Sequence, residues 1–123
     1  MQSKKQSTAG KKSSYLVLAN DYSLYLSCKK FYEHGKKIIV WGAGGKSAHL
    51  LRNFPDLRNS VIRIVDSNYK NIGKLLGEYE VETPDIIKHV PCDAIVVAVA
   101  LSQHKSEIVD TIRNVYKTNV EVL

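Results

Sequence analysis

Cysteine and long apolar runs are scarce in this sequence, and each shortage removes a class of function. The only cysteines in 123 residues, Cys28 and Cys92, stand far apart with no CxxC and no paired histidines beside them. That pattern excludes a disulfide scaffold and a zinc module. It suits a reducing compartment, with both thiols idle or buried. No stretch approaches the roughly 18 consecutive apolar residues of a membrane span. The cationic start runs into no apolar segment of the kind a secretory leader needs. A cytoplasmic location is therefore expected, with no membrane partner and no metal site.

Negative charge is almost missing from the N-terminal part. The chain carries +6 overall; residues 1–37 hold eight lysines against Asp21 and Glu33, which accounts for the whole excess. The ten basic and ten acidic side chains beyond them cancel. A nucleic-acid face sets lysine and arginine on the folded surface, interleaved with aromatic or polar base readers. Here the first lysines lie in MQSKKQSTAGKKSS, a polar stretch without apolar period. It reads as a flexible basic tail over 1–14, which solubilises and argues against nucleic acid as a partner. Residues 15–123 have the length of one domain with its own core.

What is present is a regular alternation of elements. SYLVLAN is a short apolar run, and DYSLYLSCKKFYEHG predicts a helix over 21–34, capped by Asp21 and stopped by Gly35. Its tyrosines read as packing surface, and the helix is also the candidate contact for a homo-oligomer. IIVW and VIRIVD are β-branched runs separated by the helical segment KSAHLLRNF, which Pro55 closes. SNYKNIGKLLG is a turn-rich connector, EYEVET is weakly strand-like, and PDIIKH predicts a helix with Thr83 as its cap. DAIVVAVA has no alternation, as in a strand covered on both faces. SQHKSEIVDTIRNVY then carries Ile108, Ile112 and Tyr116 on one helical stripe, and NVEVL closes as a strand. The expected fold class is α/β: a single Rossmann-like three-layer domain with a parallel sheet of four to five strands, preceded by the helix and the tail.

The stretch KKIIVWGAGGKSAHLL holds letters of two phosphate-binding loops. A Walker loop needs a glycine five residues before the Gly that precedes Lys-Ser, so that its amides wrap a phosphate. That position is Val40, inside the strand, and the later apolar strand begins rather than ends with aspartate. The triphosphatase reading fails. A dinucleotide loop fits better: Gly42 allows the turn out of the strand, Gly44 admits a pyrophosphate to the backbone, and Ser47 replaces the third glycine. Ser47 is small enough for close helix packing and can also cap the helix or donate to phosphate, and Lys46 can neutralise it or face water. Asp66 ends the second strand 24 residues after Gly42, near the ~20 expected of a carboxylate that binds a ribose diol. The same loop also suits a purely structural strand-to-helix turn, with Asp66 capping the next turn of the chain.

VWGAGGKSAHLL, IVDSNYKNIGKLLGEYEVETPDII and DAIVVAVALSQHKSEIVDTIR together resemble small Rossmann-like domains of bacterial surface-polysaccharide and deoxysugar enzymes. One relative in kind is the C-terminal domain of sugar C-methyltransferases, to whose pattern Lys46, Asp66, Asn68, Gly73, Lys74, Glu107 and Ile108 correspond in order. Another is the N-terminal nucleotide-binding domain of sugar acetyltransferases and related CoA-binding-like modules. The similarity covers about residues 36–123. It departs at Ser47, where a glycine is usual, and lacks the Pro-Gly after Gly-Lys. The resemblance implies a nucleotide or sugar-nucleotide ligand, polysaccharide or deoxysugar biosynthesis, and a partner or missing enzyme domain.

The candidate binding set is Gly42, Ala43, Gly44, Gly45, Lys46, Ser47, Asp66, Ser67, Ala100 and Ser102, with NAD or a sugar nucleotide as ligand. Asp66→Ala is expected to weaken a ribose-bearing ligand with little effect on folding if the residue is exposed. No catalytic residue is assigned, because no Tyr-x-x-x-Lys pair follows a core strand and no second domain faces the crevice. Three functions remain open: a ligand-binding module, a scaffold that keeps the fold without a ligand, and a small enzyme using His104 beside Ser102 and Gln103.

Overall fold

The computed structural model describes residues 22–123. The basic tail, the apolar run before the first helix and the cap Asp21 lie outside the described residues.

Helix α1 covers 22–33 and ends in a turn where Gly35 takes φ +67°, a left-handed geometry that suits glycine. Its inner side carries the buried Cys28 with Leu24, Tyr25, Phe31 and Tyr32. The tyrosines pack: Tyr25 stacks on Phe54 with ring centroids 4.4 Å apart. The Tyr25 and Tyr32 hydroxyls both donate to Asp56 Oδ2, at 3.1 and 3.0 Å.

Four parallel strands form the sheet in the order β2–β1–β5–β6: Val61–Val65, Ile38–Trp41, Ala94–Val97 and Glu121–Val122. All four residues of β1 and of β5 are buried, because both faces of the sheet are covered. Ile38 and Val40 join Leu50, Leu57, Ile64 and Val96 beneath α1 and α2 (Gly45–Asn53). Ile39 and Trp41 join Val65, Ile95, Val97 and Ile112 beneath α3 (Ser102–Asn114). Three layers result. The register of the two central strands is pinned at their starts, where Lys37 N donates to Asp93 Oδ2 at 2.8 Å and Asp93 N donates to Lys37 O at 2.8 Å.

From β1 the chain moves outward to β2, then returns across β1 to β5 and on to β6. The strand order therefore reverses between β1 and β5, where the loops leaving their carboxyl ends part and leave a crevice.

Two expectations shift in the connector between β2 and β5. EYEVET is strand only at Tyr79–Glu80 (β4), paired antiparallel with Leu75–Leu76 (β3) in a two-stranded hairpin outside the main sheet. It reaches that sheet through one bridge, Val65 to Glu82. Val81 turns into the core, so there is no alternating face long enough to extend the sheet. PDIIKH is a 3₁₀ turn, Pro84–Lys88, rather than an α-helix. Thr83 accepts from Asp85 N, as its capping role requires, but Pro91 follows before an α-helix can propagate.

Candidate functional site

The crevice at the reversal point has a volume of about 530 Å³. That lies within the usual range of small-molecule sites, roughly 300–1,000 Å³. Its floor is the end of β1 and the glycine loop; one side follows β2 from Asp66 to Asn71, and the other is Ala98–Ala100 with the first turns of α3.

The glycines of the loop do different jobs. Gly42 takes φ +122°, and a Cβ there would lie 2.6 Å from the Ala98 carbonyl oxygen. Its N–H donates to Val65 O at 2.8 Å, which ties the turn to β2. Gly42 is thus required by the fold itself. Gly44 and Gly45 are not: neither has positive φ, and a Cβ on either would meet nothing within 4 Å. Gly44 is the N-cap of α2, without a side-chain cap, and no acidic residue stands in the helix's first turn. Exposed backbone at a helix N-terminus, with its positive dipole end and no acidic residue in the helix's own first turn, is the arrangement that receives phosphate.

Asp66 is half-buried and holds the loop in place. Its Oδ2 accepts from Ala43 N at 2.9 Å and from Asn71 Nδ2 at 3.0 Å, while Oδ1 accepts from Asn68 N at 2.8 Å. A carboxylate has about four acceptor sites, so three are engaged and room for one further donor remains.

Of the sequence candidates, Gly42, Ala43, Gly44, Gly45, Lys46, Asp66, Ser67 and Ala100 border the crevice. Two stand elsewhere. Ser47 is fully buried and its hydroxyl donates to Gly42 O beneath the loop. It neither caps α2, whose cap is Gly44, nor offers its side chain to a phosphate. Ser102 opens α3 exposed to solvent and off the crevice wall. His104 does border the crevice, with Glu107 and Ile108 on the same wall. His49 is exposed, and His34 binds Lys30 O at its own helix end.

Trp41, Asn71 and Val99 also line the site, and composition and spacing did not single them out. Trp41 is 2% exposed, and its indole nitrogen has no hydrogen-bond partner among the described residues. Its place directly before Gly42 was the available signal. Among the described residues no cluster of His, Cys, Asp and Glu could hold a metal ion, and no helix is long and apolar enough to cross a membrane.

No curated protein matches the sequence. Among solved structures, RSP in complex with beta-NADH is similar in fold, with a TM-score of 0.50 and 14% identity, over 63% of this chain and 41% of that one. The chain therefore spans less than half the length of that neighbour. The likeness bears out the Rossmann-like α/β fold, and at that identity it carries the fold alone. The sequence match is to C2185-like, N-terminal, over residues 34–122, which takes in the whole sheet and every residue of the crevice. The chain belongs to the C2185-like, N-terminal family.

Proposed function

We propose that the domain binds an adenine dinucleotide, NAD(H), in the crevice between β1 and β5, and that it acts as a binding module alongside an enzyme partner or further domain. The observation that carries this is the pair Gly44 and Gly45, which neither backbone geometry nor packing demands. A loop that only turned a strand into a helix would tolerate side chains at both positions. Their bareness keeps the backbone approachable from a preformed hollow. The NADH complex of the structurally similar RSP supports the same ligand class. The Asp66 carboxylate disfavours a ribose 2′-phosphate, so NAD is expected over NADP.

The second reading is a sugar nucleotide, in keeping with the likeness of the Lys46, Asp66 and Asn68 pattern to surface-polysaccharide enzymes. Its pyrophosphate would use the same helix end.

Trp41, the single tryptophan of the chain, borders the crevice and reports on it directly. Titration with NADH, NAD⁺, NADP⁺ and UDP-glucose is followed by tryptophan fluorescence and thermal shift. NADH or NAD⁺ should quench or shift the emission and raise Tm, with NADP⁺ weaker. Gly44→Ala should lower affinity at least tenfold while costing less than about 1 kcal/mol of stability, the range for an N-cap exchange. Silence from every ligand refutes the proposal. If silence came with a stable dimer broken by changes at Tyr22 and Leu26, both exposed on α1, a scaffold role would replace it.

A further inference from the structure

A dinucleotide carries two ribose diols, one on each side of its pyrophosphate, and the crevice carries two carboxylates, one on each side of the glycine loop. β2 lies on one side of β1 and β5 on the other. Asp66 follows β2, and Glu107 sits on α3, which follows β5; both border the same hollow. Resting on the dinucleotide reading, we infer that Glu107 accepts hydrogen bonds from the hydroxyls of the second ribose, the one remote from adenine.

Three features support this assignment. The Glu107 carboxylate makes no ion pair and no hydrogen bond among the described residues, whereas Asp66 already takes three donors. An unpaired carboxylate has its full acceptor capacity available, and a vicinal diol supplies two donors at matching separation. The wall that bears it is fixed: Ile108, the next residue, packs into the core cluster of Trp41, Val97 and Ile112. The neighbouring surface is suited to the rest of a nucleoside. Val99 and Ile108 provide an apolar backing, and His104, three residues before Glu107, shares its face of the helix.

The test compares ADP, ADP-ribose and NADH, which present one ribose, two riboses, and two riboses with the nicotinamide ring. Affinities are measured by calorimetry on the wild-type chain and on Glu107→Gln, which keeps the side-chain shape. Glu107 is exposed, so the variant should retain the wild-type Tm. Wild type should bind ADP-ribose more tightly than ADP. Glu107→Gln should weaken ADP-ribose and NADH by about tenfold each, the loss of a hydrogen bond to a charged group, and leave ADP unchanged. The assignment is overturned if ADP and ADP-ribose bind wild type equally, if the variant binds ADP-ribose as wild type does, if ADP weakens in parallel, or if NADH alone weakens. ADP binding without a gain from the second ribose leaves the dinucleotide reading standing and removes only this one. A wild-type chain that binds none of the three overturns both.

Discussion

Replacing Gly42 by alanine sets the fold against itself, and the size of the conflict can be worked from the structure. The new Cβ would lie 2.6 Å from the Ala98 oxygen and 3.3 Å from both the Ala98 carbonyl carbon and Val99 Cγ1. Neither backbone can retreat freely. Gly42 N is bonded to Val65 O at 2.8 Å, and Ala98 N is bonded to Trp41 O at 3.0 Å. Alanine must also adopt φ near +122°, a region almost closed to L-residues, at about 1–3 kcal/mol. Crowding against fixed backbone adds about 1–3 kcal/mol. The expected loss is therefore about 2–6 kcal/mol. At roughly 4 °C per kcal/mol for a domain of this size, Tm should fall by about 8–24 °C. Urea and thermal unfolding followed by far-UV circular dichroism would read this directly. Gly44→Ala is the control, with open space around its Cβ. Equal stability of the two variants would refute the division of the loop into one glycine for folding and two for the ligand.

Asp66→Asn should destabilise as well as weaken binding, because its amide cannot accept from Ala43 N, Asn68 N and Asn71 Nδ2 together. About 1–3 kcal/mol in urea denaturation is expected, and unaltered stability would contradict the hub role. Hydrogen bonds from Tyr32, from the backbone and from Tyr25 hold the Asp56 carboxyl below its ordinary value. The unfolded chain then binds this proton more readily, so the contribution is complete above the ordinary carboxylate range and fades as pH falls below it. Urea midpoints at pH 6 and pH 3 should differ less in Tyr32→Phe than in wild type; an equal difference would show that the pair does not carry the acid sensitivity. Burial pushes the Cys28 thiol up to about 12, and the residue is 1% exposed. It should react with a thiol reagent only as fast as the protein opens, and prompt labelling of Cys28 in the native state would contradict its place under α1.

Much of the architecture was legible because β1 and β5 announce themselves. IIVW and AIVV are β-branched runs with no polar alternation, which only a sheet covered on both faces accommodates, and each is followed by a helical pattern. Pro55, Gly35 and Thr83 marked boundaries through backbone chemistry that acts within a few residues. The β3–β4 hairpin was not legible. Leu75 is 73% exposed, and the inward side of the hairpin is the single pair of Leu76 and Tyr79 packed against the core, too short to show as an alternating face in a sequence. Close packing of the small Ser47 under the loop was legible, but which way the side chains of Ser47 and Ser102 face was not: both are small, polar and near a loop, and rotation about the helix axis decides where they point. On α3 the clue existed. Counting back one turn from the packed stripe at Ile112 and Ile108 reaches His104, with Glu107 alongside, and misses Ser102.

The fold and the candidate site cannot be separated at this crevice. Asp66 could serve a ligand only if something holds it at the strand end, and its holder is the Ala43 amide of the very loop that would receive the phosphate. Ser47 closes the circuit from beneath by donating to Gly42 O, so the loop is braced on its buried side and bare on its open side. A ligand entering such a site would find donors already aimed and would order little that is not ordered beforehand, which is the condition under which modest contacts give useful affinity. On α3, by contrast, the Glu107 carboxylate has no protein group to satisfy among the described residues. Substitutions around Asp66 should therefore alter stability and binding together, and those at Glu107 should alter binding alone.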